Sequence, residues 1–317
     1  MKSFRSRMNS FQSRALLDTP SVPSAEAGVA WGHVALFTIL AYGFAWALFL
    51  PLVPNVFDLL TADRTPSELG VSKVFVLGMF APTAAAVVMR LFVSKEGLKG
   101  SLGPLRVWRF YGLALLMPAI VVALVIGIDE LTGWGEFTWD ETLPIWLAYP
   151  AVGIGALFLA VLTFGEEYGW RGYLLPKLLP LGEVKAAVIV GLIWGLWHAP
   201  LLLAGLNFTN VNPLASIGLF LVATIAISLI FTRMYVAAGG AVLVAAVVHG
   251  SFNAYSDFLA TPDHLSGNQL VVTPGGGVGI ALLSLTVIAA HTVFSRARKR
   301  RRRSLAMPVA ATDRAAG

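Results

Sequence analysis

The chain has 317 residues, of which 57% are hydrophobic and 13% charged, with a formal net charge of +6 and no cysteine. Soluble domains run near 25% charged, so these values exclude an ordinary soluble protein. The missing cysteine excludes disulfides, thiolate catalysis and cysteine-based metal sites. Long apolar runs predict an all-α membrane protein, a bundle of about eight transmembrane helices.

Residues 1–30 are polar and carry Lys2, Arg5, Arg7 and Arg14. No short apolar core with a small-residue cleavage site follows them, so they read as a disordered, uncleaved cytoplasmic tail. Eight spans are predicted, at about 31–54, 73–94, 109–131, 148–179, 184–205, 213–235, 239–257 and 275–295. The fourth is too long for one crossing, and hydropathy alone would end it before Glu166. However, Tyr168, Trp170, Tyr173, Leu174, Leu175, Leu178 and Leu179 carry the apolar pattern on to Pro180. That extension keeps Glu166 and Glu167 at membrane depth. Pro176 is expected to kink or end the helix there.

Charge orients the bundle, because cytoplasmic loops are rich in Lys and Arg. The loop at 55–72 holds Asp58, Asp63 and Glu68 against Arg64, with Lys73 just beyond it. The loop at 132–143 holds Glu136, Asp140 and Glu141, and the one at 258–274 holds Asp263 and His264. They alternate with basic segments containing Arg90, Lys95, Lys99, Arg106 and Arg109, then Lys177 and Lys185, then Arg233. The tail at 296–317 carries Arg296, Arg298, Lys299, Arg300, Arg301, Arg302 and Arg303. Both termini are therefore expected in the cytoplasm, the protein being multi-pass and resident in the plasma membrane. The tail reads as a topology signal that also attracts anionic lipid. No nucleic-acid partner is expected, since no binding fold accompanies the run.

Three polar stretches interrupt the apolar helices: Glu166-Glu167-Tyr168-Gly169-Trp170-Arg171, then Trp194 to His198, then His249 to Asn253. Ionisable groups at membrane depth are costly and mark function by default. Glu167 and Arg171 stand four apart and can pair on one helix face, as can His249 and Asn253. Glu166 is turned about 100° from Glu167 and faces something else. A carboxylate beside neutral imidazoles can take a proton from water. Two His and one Glu also form a ligand set for catalytic zinc. The residues leave a divalent metal held by Glu166, His198 and His249, and a metal-free carboxylate, equally open. Asn253 has the amide N–H that a developing oxyanion needs. His33, His264 and His291 lack such company and are read as non-catalytic.

Glu-Glu-x-x-x-Arg, an aromatic-x-x-x-His and His-x-x-x-Asn, in that order on membrane helices, resemble the CPBP family of intramembrane proteases. That family includes CAAX prenyl endopeptidases and bacteriocin-processing or self-immunity proteins. The resemblance implies an endopeptidase domain over 31–295 acting on a membrane-associated polypeptide. Glu166 would activate water, His198 and His249 would bind metal or position water, Asn253 would hold the oxyanion, and Glu167 with Arg171 would support them. It also implies a site open toward the cytoplasm. Trp194 stands where the family's second motif usually has Phe. Two other readings compete: a non-proteolytic immunity or scaffold protein, and a proton-coupled carrier, for which no inverted repeat is evident.

Overall fold

A computed structural model describes residues 28–52, 71–203 and 212–286. Among these, helices dominate, and an isolated bridge between Phe137 and Leu265 is the nearest thing to a strand. The predicted tails, the charged residues of the 55–72 loop and His291 lie outside the described residues, save for residues 28–30 before the first helix.

Helix α1 spans Trp31–Phe49, α2 Val71–Met79 and α3 Ala81–Val88, which runs on into a π-turn at Met89–Val93. Helix α4 spans Trp108–Thr132 and α5 Ile145–Gly169, continued by a π-turn at Trp170–Leu174 and by α6, Leu175–Leu178. Helices α7 (Glu183–Trp197), α8 (Ala199–Leu203), α9 (Pro213–Ala237) and α10 (Val242–Leu259) follow, then the short α11 (Gln269–Val272). Residues 277–286 are helical as well.

Six helices among the described residues are long and apolar enough to cross a bilayer, which makes the chain an integral membrane protein. The predicted count of eight is approximate for two physical reasons. The fifth expected span breaks at His198, because Pro200 has no N–H to give the Leu196 carbonyl; α7 is left with 15 residues. The eighth is described only as far as residue 286.

Small residues set how closely the helices pack. Helices α5 and α10 form the most extensive pair. A Cβ on Gly250 would lie 2.6 Å from the Ala160 backbone nitrogen, so no larger residue fits between them. Thr163 Oγ1 donates across that contact to the Ala246 carbonyl at 2.8 Å. Helices α7 and α9 meet in the same way: a Cβ on Gly191 would lie 2.7 Å from Ile225 Cα, and Ser228 Oγ donates to the Ala187 carbonyl. Thr83 ties α3 to the Gly165 carbonyl, and Ser251 ties α10 to the Leu115 carbonyl.

The two ends of the bundle differ in charge. One end gathers the loop after α3, the end of α5–α6, and the junctions α6–α7 and α9–α10. There Arg90 and Lys177 pair with Glu96, Arg233 pairs with Glu183, and Val242 N–H reaches the Leu102 carbonyl. At the other end the loop after α4 lies against the loop after α10, through Thr138 N–H to His264 O and Ser266 N–H to Glu136 O. That end carries Glu136, Asp140, Glu141, Asp257 and Asp263. Lys73, at the start of α2, is the only basic residue of the described segments placed toward it in the chain path.

Candidate active site

Glu166 and Glu167 occupy the last turn of α5, just before the π-turn, where the ordinary bonding ladder gives way. Pro176 cannot donate to the Gly172 carbonyl four residues earlier; Arg90 Nη2 does so instead, at 2.6 Å. The helix therefore passes its proline without ending and presents both carboxylates to the interior, each essentially inaccessible to solvent.

The two carboxylates look in different directions. Glu167 faces packed protein. Its Oε1 accepts from Arg171 Nη1 at 2.7 Å and from His249 Nδ1 at 2.9 Å. The Arg171 guanidinium also lies 5.0 Å from the ring centres of both Trp194 and Phe231, a cation–π sandwich that replaces lost water. Glu166 faces a cavity of about 340 Å³. Its Oε2 accepts from the Trp194 indole N–H at 2.7 Å.

The cavity wall contains Glu166 from α5, Trp194 and His198 from α7 and its end, and His249 and Asn253 from α10. Glu167 and Arg171 stand behind it. The hydrogen bonds assign both imidazole tautomers, because a carbonyl or carboxylate oxygen can only accept. His198 Nδ1 lies 2.8 Å from the Trp194 carbonyl, and His249 Nδ1 lies against Glu167. Each therefore carries its proton on Nδ1 when neutral, leaving an Nε2 lone pair. Trp197 edge-on to His198 at 4.7 Å, and Trp194 edge-on to His249 at 5.1 Å, hold the rings in place. The arrangement can bind a water, take a proton from it and offer hydrogen bonds to the oxygen it attacks.

Two imidazole lone pairs and a carboxylate suit zinc by donor type. Their atoms are less suited by position. Among the described residues, the one trio of ligand atoms lying within 4.8 Å of one another is Asp140, Glu141 and His264, at the acidic end. His264, expected to be isolated, there approaches Glu141 at 3.4 Å. Glu166, His198 and His249 do not close on one point, so no chemical step below passes through a metal.

Sequence reading did not foresee three features. Trp194, which stands where the family's second motif usually has Phe, is the hydrogen-bond donor to Glu166. The pairing of Glu167 with His249 joins two motifs 82 residues apart. Asp257 lies on the cavity wall; its place four residues past Asn253 and eight past His249 puts it on their helix face, a periodicity visible in the sequence. The cavity extends from Glu166 toward the acidic end, reaching Thr261, Pro262, Thr273 and Pro274.

Comparison with known proteins agrees on the region. A family described as type II CAAX prenyl endopeptidase Rce1-like matches residues 148–255, a stretch that holds all six predicted site residues. CAAX prenyl protease 2 of Methanococcus maripaludis is 27% identical over 157 residues, covering 46% of this chain and 55% of that protein. The chain thus matches only about half the length of that curated relative.

Proposed function

We propose, on the premise that the chain is a protein of the CPBP family, that it is an intramembrane endopeptidase hydrolysing a peptide bond of a membrane-associated polypeptide. One observation carries this reading: Glu166, His198, His249 and Asn253, from distant parts of the chain, line a single cavity inside the bundle. The peptide carbonyl sits beside Asn253. A water lies between Glu166 and the lone pair of His198 Nε2. Glu166 takes a proton as the water oxygen bonds to the carbonyl carbon. The Asn253 amide donates to the oxyanion. The C–N bond then breaks, and the proton held by Glu166 passes to the leaving amine. Glu167 and Arg171 touch no reactant; they hold His249 and the end of α5. The Trp194 N–H fixes the Glu166 oxygen that is not taking the proton.

The basic segments support an orientation with both termini in the cytoplasm, and the membrane is taken to be the plasma membrane. Cells with the native protein, compared at the peptide level with cells carrying Glu166→Gln at equal expression, test the reading. Specific products should vanish, with purified enzyme slowed about 10²–10⁴-fold. Identical peptide profiles with a retained cellular phenotype would leave a non-proteolytic immunity or scaffold role instead. A chelator should not change the purified rate; a zinc-bound water, the other use of this donor set, requires that it does.

A further inference from the structure

The mechanism uses one carboxylate of the cavity wall, and the wall holds a second. Helix α10 carries His249, Asn253 and Asp257 at intervals of four, so they stand on one face, and all three line the cavity. Asp257 is exposed, and among the described residues no hydrogen bond or salt bridge engages its carboxylate. His249, two turns back, has its Nδ1 committed to Glu167. Among the described residues that line the cavity none is Lys or Arg, and Ile227, Phe252, Ala260 and Pro262 make much of the wall apolar. A carboxylate in such surroundings is costly unless a cation meets it. The wall has no such cation of its own, but a ligand can bring one.

We propose that Asp257 is a specificity-determining residue that binds a basic side chain, Lys or Arg, of the polypeptide to be cut. The inference rests on the endopeptidase reading and names a substrate class for the same site. Four residues along a helix advance about 6 Å, so Asp257 stands about that far from Asn253, beside which the peptide carbonyl sits. An extended peptide advances about 3.3 Å per residue and turns every second side chain to the same face. Asp257 therefore meets a side chain one or two residues from the scissile bond. A Lys or Arg at that place lays its methylene stem along the apolar wall and sets its charged head against the Asp257 carboxylate. An acidic residue there meets like charge and is disfavoured.

The purified full-length protein is given peptides prepared from cell protein with chymotrypsin, which leaves Lys, Arg, Asp and Glu internal, and the new cut sites are sequenced. Cuts that disappear with Glu166→Gln should carry Lys or Arg at a fixed place no more than two residues from the bond. Asp257→Asn should erase that enrichment and raise KM for basic peptides roughly tenfold, the worth of a hydrogen bond between charged groups, with kcat little changed. Asp257→Glu should restore the preference, and Asp257→Lys should turn it toward Asp and Glu. Glu166-dependent cuts without a basic preference, or a preference that survives Asp257→Asn, overturn the inference and leave the endopeptidase reading standing. If no cut depends on Glu166, the endopeptidase reading fails, and binding tests Asp257 by itself. A short apolar peptide with one central Lys, and the same peptide with norleucine there, are titrated into the Glu166→Gln protein in detergent. The Lys peptide should bind roughly tenfold more tightly, and the difference should vanish when Asp257→Asn is added. Equal affinity for the two peptides with Asp257 in place overturns the inference whatever the cleavage result.

Discussion

Glu166 and Glu167 are neighbours in the chain and equally buried, yet they belong to different regions of the molecule. Glu167 stands in a buried backing where one oxygen serves both Arg171 and His249. Glu166 stands on a cavity wall and receives a single side-chain hydrogen bond, from Trp194. A rotation of about 100° along the helix separates a carboxylate locked by partners from one left free to exchange a proton. The comparison teaches that burial alone does not mark a reactive acid. What matters is whether its lone pairs are already committed, and to what.

The backing is the place to break that contrast most severely. Glu167→Gln strands the Arg171 guanidinium in the buried interior, and breaking a buried pair costs about 3–5 kcal/mol. Thermal unfolding in detergent should show a large drop in midpoint, and the double variant Glu167→Gln/Arg171→Met should recover much of it. An unchanged midpoint for the single variant would mean that charge does not hold the backing together.

On the cavity side the contrast is sharpened by Trp194→Phe, which keeps a ring and deletes one N–H. A hydrogen bond to a charged group contributes about 1.5–3 kcal/mol, or roughly 10–100-fold in rate. The loss should fall on kcat with KM nearly constant and stability little altered. Equal kcat would reduce Trp194 to packing.

The smallest effect belongs to the rim. Glu96 lies beyond the third helix, outside the membrane spans. Burial pushes its carboxyl upward, but the hydrogen bond and charge of Lys177, with Arg90, outweigh that and hold it below the usual carboxylate range. A carboxyl lowered in the folded state stabilises fully above its unfolded pKa, near 4, and that stabilisation fades as pH falls through the folded value. At pH 7 the native protein should therefore exceed Glu96→Gln by about 1 kcal/mol or less, as befits a partly exposed pair. The gap should close below about pH 4, as unfolding midpoints at the two pH values would show. A gap that persists in acid would assign the effect to packing.

Much of this protein was legible one residue at a time. Apolar runs determined a helical membrane bundle, because unpaired backbone polar groups cannot face lipid. Helical spacing put Glu167 with Arg171 and His249 with Asn253, because residues four apart share a face. Charge asymmetry marked two unlike ends. None of these signals reaches across the chain. Only the tertiary structure decided that Glu167 would hold His249, that Trp194 would hold Glu166, that Arg90 would satisfy the carbonyl freed by Pro176, and which end of the bundle the cavity would meet. Those outcomes depend on how closely α10 can approach α5 at Gly250 and α9 can approach α7 at Gly191, and helix-to-helix distance is set by side chains packed from both partners at once, which no local pattern in the sequence contains.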